Sequence, residues 1–240
     1  MAALPQELGN LRDQLQQPSV REWAHRSYCE GQLGSLTVIT TTARIGKVAA
    51  ASTATTLIQQ FNAEAIVFVG VAGGIGSQVQ VGDVVLAQEL MQHDLSAAPL
   101  FPALEIPLLG LQRIPTDANL TGLLRTAATQ AISAWKTQTP HTLVSRSELH
   151  EGLILSGDQF IHQAGHAEQL LLATPDALAV EMEGAAVAQV CWENEIPFAV
   201  IRTISDRADR AAPVDFEAFL NEVAAPMSSA ILLRLLSVLA

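Results

Sequence analysis

The stretch that most limits the possible folds is Ala65–Val71, "AIVFVGV", an unbroken apolar run that passes into the glycine turn "GVAGGIG" at Gly70–Gly76. An apolar run of strand length that ends in glycine reads as a strand buried on both faces. A strand of that kind lies inside a sheet covered above and below. The neighbouring segments supply the covers. Val48–Phe61 reads as a helix behind the turn "RIG", and Leu120–Trp135, Ala164–Ala173, Gly184–Glu195 and Phe216–Leu239 read as further helices. Leu4–Leu15 reads as a first helix, with Leu8, Leu11 and Leu15 at helical spacing. Leu36–Thr42, "LTVITTT", is β-branched and reads as a strand. "GLIL" at Gly152–Leu155 and "FAVIRTI" at Phe198–Ile204 read as buried strands, and Val84–Gln88 and Ile114 carry weaker strand signals. Strands that alternate with helices predict an α/β fold. The expectation is a single-domain three-layer α/β/α sandwich over residues 1–240, with a central mixed, mostly parallel twisted sheet.

Composition supports a large aliphatic core, since 49% of residues are hydrophobic and 15% are charged. A net charge of −11 disfavours nucleic acid or an anionic membrane as partner. Cys29 and Cys191 form neither a CxxC pair nor a disulfide framework, which fits a reducing cytoplasm. The N-terminus lacks the basic and apolar regions of a signal peptide, and the longest apolar stretches fall short of a membrane span.

Sheets of this class bind ligands at the carboxyl ends of their strands. Three strands here end in polar or glycine-rich turns: "VGVAGGIG", "LSGDQF" and "RTISDRAD" (Arg202–Asp209). The glycine turn fits neither a P-loop nor a dinucleotide fingerprint. It is either a tight turn alone or a place where backbone N–H groups approach a ligand. Asp158 reads as a turn acid that accepts backbone N–H groups, and Phe160 as a stacking ring or a core residue. Asp206 reads as a proton-transferring acid or as a turn residue. "VEMEGAAVAQVC", Val180–Cys191, poses the sharpest question. It opens with Glu181 and Glu183 at the mouth of an apolar run, where an unpaired carboxylate is costly. The segment Met91–Gly110, "MQHDLSAAPLFPALEIPLLG", has three prolines and no period, so it reads as a long functional or partner-facing loop.

Taken in order, "GVAGG", "GLILSGDQFI", "VEMEGAA" and "RTISD" resemble the nucleoside phosphorylase/nucleosidase superfamily, and most of all its 5'-methylthioadenosine/S-adenosylhomocysteine nucleosidases. The likeness takes in "ALPQELGNLRDQL" and "RIGKVAAASTATTLI" and spans nearly the whole chain. It implies hydrolysis of an N-glycosidic bond to release adenine, without cofactor or metal. Phosphorolysis and a futalosine-type substrate are the alternatives within the same fold. Residue by residue, the resemblance implies that Glu7 activates water, that Asp206 with Ser205 serves the purine N7, and that Arg202 lies near the ribose and the water. It places Glu183 and Met182 on the ribose, with Glu181 either on the ribose or capping the next helix. Phe160 and Ile161 would hold the purine, and Ala72 and Gly73 the glycine turn. Ile45 and Phe216 would surround the 5' group. It further implies a homodimer in which Phe101 and Pro107 of one subunit's loop close the other's 5' pocket.

Three departures from the pattern stand out. The family's first strand is missing ahead of Glu7, which predicts a shortened start or a sheet one strand short. Val71 replaces a small hydroxyl residue. Arg44 stands where glycine is usual, as an anion-binding group or a solvated charge.

Overall fold

The computed structural model describes residues 1–138, 146–208 and 216–240. Three strands, β1 (Gln16–Trp23), β2 (Arg26–Leu33) and β3 (Leu36–Thr41), form an antiparallel meander. Helix α1 (Lys47–Phe61) leads to β4 (Ile66–Gly74), β5 (Val84–Gln92) and the short β6 (Ile114–Pro115). Then come α2 (Ala118–Gln138), β7 (Leu149–Ser156), α3 (Ala164–Ala173), β8 (Ala177–Glu181), α4 (Gly184–Glu193) and β9 (Phe198–Asp206). The chain ends in α5 (Phe216–Phe219), a π turn over Leu220–Ala224, and α6 (Ala225–Leu239).

The central sheet is mixed, in the order β6-β5-β7-β8-β4-β9. Its long ladders, β4 with β9 and β5 with β7, are parallel, while β4–β8, β5–β6 and β5–β9 are short antiparallel contacts. Because β9 also pairs with β5, five of the six strands close into a ring. Side chains alternate across the strands, as a pleated backbone requires. Phe68 and Val200 point into the core under α1 and α4, with Ala54, Leu57, Ala185 and Val187. Val69 and Ile201 point the opposite way, onto Leu124, Ala128, Ile231 and Leu235 of α2 and α6. These are the outer layers of the expected sandwich. The helical stretch Glu217–Leu239 is long and apolar enough to cross a membrane, but half of it is buried in this fold.

The first helix departs from expectation. Residues Pro5–Leu8 and Leu11–Gln14 form two separate 3-10 helices. Gly9, at φ +54°, breaks them where a Cβ would lie 2.6 Å from the carbonyl oxygen of Ala225. Met1–Ala3 run between Thr42 and β4. Ala2 bridges Thr42 in parallel, and the Val69 N–H donates to Met1 O at 3.1 Å.

Candidate active site

A cleft opens at the carboxyl ends of β4, β8 and β9. Its lining brings together Glu7, Ile45, Ala72, Gly73, Phe160, Ile161, Glu181, Met182, Glu183, Ser205 and Asp206. Segments far apart in sequence thus meet at the strand ends singled out by their turns. Four carboxylates line the cleft, and no Lys, Arg or His does so among the described residues.

Glu7 sits on the first 3-10 helix and is buried. Its carboxylate accepts the N–H groups of Leu4 (2.7 Å), Ala3 (2.8 Å) and Val71 (3.1 Å). Burial still raises its pKa above the ordinary value, against the pull of those N–H groups and Arg202. Gly70 permits this arrangement: a Cβ there would meet Glu7 Oε1 at 2.9 Å.

Glu183 precedes α4 and accepts the N–H of Gly46 at 2.8 Å. Burial, and then the nearby Glu181, push its carboxyl up to about 8. Gly46, at φ +100°, holds the turn that aims this N–H. Asp206 ends β9; it accepts Ser205 Oγ at 2.7 Å and the Ala208 N–H at 2.7 Å. Phe160 and Ile45 lie at the mouth, 51% and 57% exposed.

Glu181 is committed to the protein. It accepts Arg202 Nη2 at 2.7 Å, the Gly184 N–H at 2.8 Å, the Glu183 N–H at 3.2 Å and the Ser156 hydroxyl. Of the two roles open to it, capping α4 is the one this geometry fulfils. Arg202 stands just behind the cleft lining rather than in it. It is 1% exposed and is held by Glu181, the Phe68 and Ile201 carbonyls and the Phe68 ring. It acts behind the cleft, as the counter-charge that lets Glu181 be buried.

Phe101 and Pro107 do not reach the cleft of their own chain. Phe216 begins α5, and its side chain, like Asp209, lies outside the described residues. Arg44 is exposed at φ +73°, donating to the His25 carbonyl at 2.6 Å. Its positive φ explains why glycine suits this position.

The sequence reading missed Gly46 as the partner of Glu183 and Ser156 as the partner of Glu181. The glycine in "RIG" was a signal for the first. Asp158 holds a backbone N–H, but that of Lys47 on α1 rather than one in its own turn.

A sequence profile of the Phosphorylase superfamily matches residues 1–237, and the chain belongs to this family. A 5'-methylthioadenosine/S-adenosylhomocysteine nucleosidase of Mycobacterium bovis is 36% identical over 248 residues, covering 100% of this chain and 96% of its own. The crystal structure of a nucleosidase of that name from Neisseria meningitidis, in complex with methylthio-immucillin-A, superposes with a TM-score of 0.87 at 30% identity, covering 99% and 96% of the two chains. A futalosine hydrolase of Helicobacter pylori gives 0.85 at 29% identity, covering 98% and 95%.

Proposed function

We propose that this protein is a purine nucleosidase that hydrolyses the N-glycosidic bond of 5'-methylthioadenosine, S-adenosylhomocysteine or a related adenosyl nucleoside and releases adenine. The observation that carries this reading is the charge of the cleft. An acid-lined cleft without a cationic side chain among its described residues favours attack by water over attack by a phosphate anion.

The acids divide the work as the reaction demands. Phe160 stacks on the purine and Ile161 borders it. Glu183 accepts the ribose hydroxyls, each charge-assisted bond contributing roughly 1.5–3 kcal/mol. Met182 packs on the sugar. As the C1'–N9 bond breaks, its electron pair moves onto the base, and Asp206 supplies the proton at N7. Ser205 orients that carboxyl. The ribose gains oxocarbenium character, which nearby carboxylates stabilise. Glu7, made more basic by burial, takes a proton from the water that bonds to C1'. The products are adenine and the free sugar.

The test is adenine release from methylthioadenosine in phosphate-free buffer, where we expect adenine and free methylthioribose. Strict dependence on phosphate with a sugar-1-phosphate product would overturn the reading. A strong preference for futalosine in the same assay would move the substrate assignment within the family.

We infer further that the protein works as a homodimer with shared clefts. Leu100 and Leu108 are 84% and 91% exposed in an irregular loop, and Ile45 at the mouth of the cleft is 57% exposed. Burying two or three such side chains across a two-fold contributes roughly 1.5–3 kcal/mol each before association costs. Phe101→Asp is expected to weaken the dimer and raise KM for methylthioadenosine together. Ultracentrifugation and initial rates on that variant decide it: an unchanged dimer with unchanged KM removes the loop from the cleft wall. Both cysteines are free and buried, as suits the reducing cytoplasm where we place the reaction.

A further inference from the structure

We propose that Lys47, Asp94 and Asp158 form a latch that fixes the sugar and purine walls of the cleft relative to each other and to the root of the loop that begins at Asp94, with Lys47 as its central positioning residue. This rests on the nucleosidase reading for what the walls hold. The Lys47 N–H donates to Asp158 Oδ1 at 2.9 Å, the Asp158 N–H to Asp94 Oδ2 at 2.8 Å, and Lys47 Nζ to Asp94 Oδ1 at 2.6 Å. The three bonds form a closed cycle.

Two members sit beside walls of the cleft and the third at the root of the loop that leaves it. Lys47 follows Gly46, whose N–H holds Glu183 against the sugar site. Asp158 stands two residues before Phe160, the face for the purine. Asp94 follows β5 and opens the loop toward Phe101, which in the dimer is to cover the 5' group in the partner subunit's cleft. Lys47 Nζ also donates to Gln92 Oε1 at 3.1 Å, and Gln92 Nε2 to Gln189 Oε1 at 2.8 Å. Gln189 lies on α4, the helix that begins just after Glu183. The network thus returns to the sugar wall by a second route.

The cycle supplies a need of the fold. Gly46 occupies the N-cap position of α1 and has no side chain to satisfy the helix's first N–H groups. Asp158 provides that cap from 111 residues away, as a carboxylate at the positive end of the helix. Gly46 is packed against it, since a Cβ there would lie 3.3 Å from Asp158 Oδ1. Burial alone would raise the pKa of Asp94, but the Lys47 ammonium and the Asp158 N–H hold it below the ordinary value. An exposed ion pair is worth little by itself. Here each carboxylate also binds a backbone N–H, so loosening the pair releases main chain on two walls.

Neither Glu7 nor Asp206 touches the latch. Glu183 keeps its own bond to the Gly46 N–H when the latch is lost, so the loss weakens substrate binding more than the chemical step. Steady-state kinetics on methylthioadenosine test this with wild type, Lys47→Met, Lys47→Arg and Asp94→Asn. Lys47→Met is expected to raise KM about tenfold with kcat within about twofold, the scale of one or two lost hydrogen bonds. Lys47→Arg should restore most of the affinity. Combining Lys47→Met with Asp94→Asn should cost no more than the worse single change, since the two residues share one interaction. An unchanged KM in folded Lys47→Met, or a fall in kcat at constant KM, overturns the latch. Amide hydrogen exchange over residues 157–161 gives a readout without turnover. Exchange there should accelerate in Lys47→Met, and unchanged exchange also overturns the proposal. A wild-type protein that releases no adenine overturns the nucleosidase reading instead.

Discussion

Asp206→Asn is expected to lower turnover by a factor of about 10²–10⁴, the range for a lost general acid or electrostatic group. The adenine leaving group must take a proton as the glycosidic bond breaks, and the asparagine amide is far too weak an acid to give one. The geometry around it should survive. Asp206 accepts one bond from Ser205 and one from Ala208, and an amide oxygen can replace one acceptor. Its place at the end of β9 is fixed by the parallel ladder with β4. Adenine release, read beside circular dichroism, checks the outcome. Near-normal turnover in a well-folded variant would remove Asp206 from the mechanism.

Glu183→Gln should cost a comparable factor of about 10²–10⁴, for a different reason. The ribose gains positive charge in the transition state, and a neutral amide cannot offset it. A pH signature accompanies the loss. In the empty cleft the Glu183 carboxyl is pushed up to about 8 by burial and by Glu181. Ribose hydroxyls donate to its ionised form, so substrate binding lowers that pKa and releases a proton. Affinity must then improve as pH rises toward about 8 and level off above it. KM measured across this range in wild type should fall accordingly, and Glu183→Gln should abolish the trend. A flat wild-type profile would mean that the carboxyl does not ionise on binding.

The elements legible in the sequence were those whose burial writes a pattern. β4 and β9 are buried on both faces, so "AIVFVGV" and "FAVIRTI" stand out as apolar runs. The β1–β2 hairpin was invisible because β1 is exposed along its length and carries mostly polar residues. β8 was hidden for the opposite reason. Ala177–Glu181 is five residues, all buried, and it flows into the equally apolar α4 with only Met182 and Glu183 between. The break at Gly9 was masked by leucines whose spacing suits one helix.

The site was legible at its side chains and less so at its partnerships. Glu7, Glu183 and Asp206 were recognisable from their motifs. That Arg202 serves Glu181, and that Asp158 caps a helix begun 111 residues earlier, depends on three-dimensional adjacency that no local pattern encodes.

The distances along the chain between partners carry a consequence for how activity arises. Glu7 meets Val71 across 64 residues, Gly46 meets Glu183 across 137, and Arg202 meets Phe68 across 134. Non-local contacts of this separation form late, because the entropy of closing such loops must be met before the contacts stabilise anything. Regain of adenine release after dilution from denaturant is therefore expected to lag behind recovery of the helical signal.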